Sequence, residues 1–541
     1  MTIHSDFFPM DTAGLPAAHP PEWLELADGD TLDLRIGPVA KTLGESTVRM
    51  LAYNGSVPGP VLHVRQGSTL VVNAVNDGDL EATVHWHGLR LDNRFDGTHE
   101  TQAPMPVGGR FTYRIEFPDP GVYWYHPHIR EDYGQELGLY GNIVVTPADP
   151  DYWPPVHREL ALVLDDILIE DGRIAPFSTT EPNYVAMGRF GNVLLLNGEP
   201  DAWLDAKRGE VVRLYLTITA NTRVFNVGIP GARMKRVGGD SGRYEREELV
   251  DGLILAPSER VVVDLLFEEA GELTFEHRTP DRTYPLATFT VAGEAEPSLT
   301  AAFDELRTNP DMLAERAGIA PYLEADPDKS LAFVAEMDMG EPELPPGAEL
   351  VYACPMHPEV ISAEHGRCPK CGMTLLATVA APIGHEEMGH EHHQHHSASG
   401  ASDGIEWEDE MVEVNRVTTP ANMRWKLIDR TTGAEGAGID WRFRVGERVK
   451  IRLVNELDSD HPMHHPFHIH GAGRFLILAR DATPDPNLVW KDTVLVPAGQ
   501  VVDLLLDVTN PGRWMAHCHI AEHHESGMMF SFTVEPNEDH R

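Results

Sequence analysis

Apolar and polar positions alternate in short runs along most of the chain, with Gly and Pro at the ends of the runs; VVRLYLTI (211–218) and VVDLLLDV (501–508) are two of them. Alternation with a period of two separates side chains onto the two faces of a strand, so the pattern predicts an all-β chain. The runs also repeat. PVGGRFTYRIEFPDPGVYWYHPH (106–128), PSERVVVDLLFEEAGELTFEHR (257–278) and PAGQVVDLLLDVTNPGRWMAHCH (497–519) each read as a turn, a long strand, a Gly turn and a final strand. Their upstream partners VRQGSTLVVNAVND, AKRGEVVRLYLTIT and FRVGERVKIRLVNE correspond as well. This self-similarity predicts three β-sandwich domains in tandem, over 1–148, 149–297 and 406–541.

Residues 298–405 break the pattern. SLTAAFDELRTNP places Leu299, Phe303 and Leu306 at helical spacing, with Ser298 as N-cap and Pro310 as a stop, and predicts short bridging helices. A Pro/Glu-rich stretch then leads to a small cysteine module (350–378) and the tract HEEMGHEHHQHH (385–396), too polar to fold alone.

Composition narrows the partners. Asp and Glu outnumber Lys and Arg by 85 to 43, which argues against a nucleic-acid partner. No apolar run reaches membrane-spanning length, and MTIHSDFFPM lacks the basic start and apolar stretch of an export signal. A monomer with no membrane partner is expected. Of four cysteines, Cys354, Cys368 and Cys371 cluster and Cys518 stands alone in HCH, so metals rather than disulfides are the expected use.

The histidines carry the chemistry. Four His-x-His pairs lie outside the polar tract: His85/His87, His126/His128, His468/His470 and His517/His519. Random placement of this many histidines gives roughly one or two such pairs, whereas these four fall at corresponding repeat positions. On a strand each pair points both imidazoles to one face, so pairs from the first and third sandwiches can meet across an interface. The middle repeat has Phe225 and Val227, then Glu276 and Arg278 around His277, at the matching positions, and is expected to be a metal-free spacer. Cys518 points away from His517 and His519; with His465, His523 and Met528 it forms the two-His, one-Cys, weak-Met set that suits copper in electron transfer.

HWHG, WYHPH, HPFHIHG and HCHIAEHHESGM together resemble the four copper-binding motifs of three-domain multicopper oxidases, the laccase family. The resemblance implies three cupredoxin-like Greek-key sandwiches and four copper ions. By position, it makes His465, Cys518, His523 and Met528 the blue copper site and gives His85 and His468 to a type 2 copper. His87, His126, His128, His470, His517 and His519 then hold a type 3 pair. It further implies one-electron oxidation of phenolic or aromatic amine donors coupled to reduction of dioxygen to water. Asp96, in RFDG, matches an acidic position that many relatives place near the solvent path to the cluster, where it serves proton transfer; the lesser alternative is an ordinary turn aspartate before Gly97. Asp492, in KDTVLVP, is expected either to orient a blue-copper histidine or to cap a strand. The sequence departs from many bacterial relatives at His524, where they have Glu.

YACPMHPEVISAEHGRCPKCGMTL (352–375) resembles a small heavy-metal-binding domain, with Cys354, His357, Cys368 and Cys371 as a four-ligand set for zinc or copper. With Met337, Met339, His461 and Met463 it raises the alternative of a metallo-oxidase that takes electrons from Cu(I). A copper-sequestering protein is a third reading, but storage needs no HCH link between two different sites.

Overall fold

The computed structural model describes residues 7–342, 344–345, 348–379 and 403–537. The tract 385–396 lies outside the described residues. Along Thr69–Asn76 buried and half-buried positions alternate, as a strand with one face on a core requires. The structure is all-β, with three successive pairs of facing sheets.

The repeat seen in sequence is a repeat in topology. In the first sheet of each pair, one strand runs parallel to the next long strand, which is antiparallel to a third. These trios are Thr31–Leu43, Thr69–Asn76 and Arg110–Glu116; Arg158–Ile167, Val211–Ile218 and Arg260–Leu266; and Lys329–Met337, Arg448–Asn455 and Val501–Val508. In the facing sheet a long C-terminal strand pairs antiparallel with the strand ending in the motif, which pairs in turn with the short histidine-bearing strand or its middle-repeat counterpart. Each sandwich encloses its own apolar core, centred on residues such as Val72, Val263 and Leu504.

In the middle sandwich, Phe225 and Val227 are buried in the apolar core, His277 pairs across the ladder with Val227, and Glu276 is bonded to Arg278. The bridge is shorter than 298–405: it forms helices Thr300–Asp304 and Pro310–Leu323, and the strand Lys329–Met337 already belongs to the third sandwich because it pairs with Arg448–Asn455. Three expectations about the helices change here. Ser298 sits one residue outside the N-cap, which is Leu299, and Leu306 is exposed beyond the helix end. Pro310 opens the second helix instead of stopping the first, because the first helical turn needs no N–H from that position. Among the described residues no helix is long and apolar enough to cross a membrane.

Candidate metal centres

Eight imidazoles meet between the first and third sandwiches. Strand register brings His85 opposite His126 and His468 opposite His517. The two sandwiches then interlock their histidines: the His87 and His468 rings stack at 3.8 Å, His85 and His470 lie 4.1 Å apart, and His128 Nε2 is 3.2 Å from His470 Nε2. His519 stands 5.0 Å from the His87 ring and 5.1 Å from that of His126. All eight are buried.

Four of these rings have their tautomer fixed by backbone carbonyls, which can only accept. Nδ1–H donates to Asp96 O from His85, to Pro127 O from His126, to Asp492 O from His468 and to Cys518 O from His517, at 2.7–2.9 Å. Their Nε2 atoms are therefore bare lone pairs. Those of His85, His126 and His468 have no hydrogen-bond partner, and that of His517 faces His470 Nε2 at 3.0 Å. On the other rings, His87 leaves Nδ1 unpartnered and His519 both nitrogens. A buried acceptor left unmet costs about 1–3 kcal/mol, and several converge here. Metal cations at their meeting points remove that cost. The groups His85/His468/His470, His85/His87/His126 and His128/His470/His517 each bring their ligand atoms within 4.8 Å of one another.

Protonation state agrees with that role. Burial, then neighbouring imidazoles, pushes His85 down to about 3 and holds His87, His126, His128, His470, His517 and His519 well below the usual histidine value. Neutral rings offer lone pairs.

Carboxylates orient the cluster. Asp96, fully buried, has Oδ2 2.9 Å from His470 Nδ1 and Oδ1 3.5 Å from His85 Nδ1; burial, with Glu100 nearby, pushes its carboxyl well up. It is thus no surface turn residue. Asp492 accepts from His87 Nε2 at 3.0 Å and lies 3.5 Å from His468 Nδ1. The expectation that it orients a blue-copper histidine is corrected: its strand neighbour Thr493 pairs with His468, which puts the carboxylate on the cluster side. Glu131, absent from the sequence reading, is buried between His128 Nδ1 at 3.2 Å and His524 Nδ1 at 3.5 Å, and its N–H donates to Glu525.

The second site lies across the same strand. Cys518 Sγ is 3.4 Å from His465 Nδ1 and 3.8 Å from His523 Nδ1, and the two nitrogens are 3.4 Å apart. The centre of such a triangle is about 2 Å from each corner, the length of metal–imidazole bonds. Met528, fully buried in the same core, accepts the Cys518 N–H through its backbone oxygen. Burial pushes the Cys518 thiol up, so a cation is what makes it a thiolate. Ile520 N–H donates to the sulfur at 3.4 Å. Trp425 closes the site by stacking on His523 at 4.1 Å with its edge toward His465. Sequence gave no sign of this, because Trp425 lies on a strand outside the motifs.

The third site is the cysteine module, a three-stranded sheet of Leu350–Ala353, Ile361–Ser362 and Leu376–Val379. Cys354 Sγ lies 3.6 Å from Cys371 Sγ and 3.7 Å from His357 Nδ1, and Cys368 Sγ is 3.6 Å from the same nitrogen. The spacing fits a closed four-ligand site. The hydrogen bond from Cys371, outweighing burial, brings Cys354 down to about 5. The module is docked on the loop before His465. Thr374 bonds to Asp460, Arg367 donates to Ser459 O, and Met373 is fully buried in the core that holds Cys518, Met463 and Met528. Beside it, His461 Nε2 meets Met187 Sδ at 3.0 Å, and burial brings this imidazole down to about 4.

Sequence models of the family described as multicopper oxidase match residues 38–150 and 409–538, and one described as heavy metal binding domain matches 351–378. The chain is 26% identical over 527 residues to the multicopper oxidase MmcO of Mycobacterium tuberculosis, covering 92% of this chain and 86% of that one. It is also 26% identical to a copper resistance protein A homolog of Pseudomonas syringae pv. tomato, covering 94% and 92%. In fold it resembles the crystal structure of a multi-copper oxidase from Pseudomonas thermotolerans, with a TM-score of 0.63 at 23% identity, covering 95% of this chain and 100% of that one. The chain belongs to the multicopper oxidase family, copper-dependent oxidoreductases that use dioxygen as acceptor.

Proposed function

We propose that the chain couples one-electron oxidation of phenolic or aromatic amine donors to the reduction of dioxygen to water. In this reading four coppers occupy the two sandwich sites. His465, Cys518, His523 and Met528 hold the blue copper, His85 and His468 a type 2 copper, and His87, His126, His128, His470, His517 and His519 a type 3 pair. Copper held by these residues would supply the one-electron redox chemistry that couples single-electron donors to dioxygen.

The observation that carries the reading is the strand Gly512–Cys518, which presents Cys518 to one site and His517 to the other. Cys518 offers its sulfur to the donor side while its carbonyl accepts from His517 Nδ1 at 2.9 Å, a bonded path of a few atoms. Asp96 holds a proton beside His470 and His85, and burial with Glu525 and Asp132 pushes Glu131 well up, so that it holds one beside His128. Water formation consumes protons, and these groups stand where they are needed. Tight packing around the eight imidazoles excludes bulk water.

A second reading, oxidation of Cu(I), is supported by the docked metal-binding module. Its thiolates, with Met373, Met187 and His461, place soft ligands against the blue-copper core. Oxygen consumption measured with a phenol, an aromatic diamine and Cu(I) at matched driving force separates the two. Faster turnover of the aromatic donors supports the first reading, and faster turnover of Cu(I) the second.

A further inference from the structure

The middle sandwich contributes no histidine to the cluster, yet one of its side chains ends there. Arg260 begins the strand Arg260–Leu266 and is fully buried. Its Nη1 and Nη2 donate to Asp492 Oδ1 and Oδ2 at 2.6 and 2.5 Å, a two-pronged pair. Nη1 also donates to Ser258 O in its own turn, and Nε donates to Val122 O in the strand Gly121–His126 of the first sandwich. One guanidinium thus bonds to all three sandwiches.

We propose that Arg260 is a positioning residue for the copper cluster, acting through Asp492. Asp492 contacts His87 from the first sandwich and His468 from the third, so its placement fixes how the two histidine sets face each other. Arg260 holds that carboxylate at both oxygens and ties down the strand that ends at His126. A planar guanidinium does this where an ammonium cannot, because two fixed N–H directions match two carboxylate oxygens. Asp492 is bound by Arg260 at both oxygens, as a carboxylate is, and faces His87 and His468 from the same end. It therefore stays an acceptor for the imidazoles. The other charges facing the pair are Asp240, 3.8 Å from Nη1, and Lys491, which bonds to Asp240 and Glu259. The chain also leaves room for the pair. A Cβ on Gly88, directly after His87, would come within 2.6 Å of Arg260 Nη2 and 2.5 Å of Asp492 Oδ2, and its φ of +84° already favours glycine.

The inference rests on the assignment of His87 and His468 to the cluster, so His468→Ala is measured beside Arg260→Lys and Arg260→Gln. The readouts are copper bound per chain, the paramagnetic resonance signal of the type 2 copper, and the blue absorption of the Cys518 site. Arg260 touches none of His465, Cys518 and His523, so the blue band serves as the internal measure of folding. Both Arg260 variants are expected to keep it, to bind cluster copper about 10–100-fold more weakly, and to show an altered or lost type 2 signal. Loss of the blue band together with the cluster in Arg260→Lys would show a general structural role and overturn the proposal. So would wild-type cluster copper and an unchanged type 2 signal in both variants while His468→Ala loses that signal. If His468→Ala also keeps the type 2 signal, it is the copper assignment itself that fails.

Discussion

His517 and Cys518 are neighbours in one strand that open onto different sites: His517 Nε2 lies 3.0 Å from His470 Nε2, while Cys518 Sγ lies 3.4 Å from His465 Nδ1. A strand reverses its side chains at each residue, so a single peptide link separates the two sites, the donor and oxygen sides of the proposed reaction.

Replacement of Cys518 by Ser should therefore abolish the blue colour and reduce turnover to background, while copper still fills the histidine cluster. Copper content and visible absorption of the purified variant check this. Retained oxidase activity would contradict the electron path.

Copper loading should release few protons. The cluster imidazoles whose values burial lowers are already neutral at pH 7, whereas the Cys518 thiol, pushed up by burial, must lose its proton to bind. Calorimetric titration in buffers of different ionisation enthalpy should show about one proton per chain more for the wild type than for Cys518→Ser. Equal release from both would mean that the thiol is not a ligand.

Asp96→Asn keeps the size of the side chain but replaces the proton-carrying carboxyl that faces His470 Nδ1 and His85 Nδ1 with an amide that cannot pass its proton on. Turnover should fall about 10–100-fold while anaerobic reduction of the blue site by donor stays fast. Slowed reduction of the blue site instead would place the effect on the donor side.

How much of this was readable beforehand depends on whether a contact follows strand periodicity. The His-x-His pairs did in part: His85 and His87 share a strand and so one face, while His128, His470 and His519 lie one or two residues past the strands that carry their partners, at the matching strand ends the three-fold repeat marks. Arg260 did not: its bond to Asp492 spans 232 positions and exists only because three sandwiches pack around one point. Of the two readings of Asp492, the strand-end one fits its place just before Thr493–Val496, and the blue-copper one fails because closeness in sequence to that motif does not say which face of the sheet a side chain joins. Pro310 was misread because proline suits the first turn of a helix as well as the residue after one. Glu131 offered a faint signal, three residues after His128, where a turn returns to the same side.

The docked cysteine module yields a separate prediction. Cys368→Ser with Cys371→Ser should leave oxidation of a phenol by the fully copper-loaded protein within about 2-fold of wild type, because every sandwich ligand remains. If the module handles copper, oxidation of Cu(I), or loading at limiting copper, should fall; if all three rates are unchanged, the module is a metal-stabilised support for the loop before His465.

The central claim, that Cys518 feeds electrons to a histidine-bound cluster that reduces dioxygen completely, is tested most directly by the ratio of donor oxidised to dioxygen consumed, with peroxide measured in the same vessel. Complete reduction predicts four one-electron donor equivalents per dioxygen and no accumulated peroxide. A ratio of two, with peroxide rising in step with oxygen uptake, would contradict it.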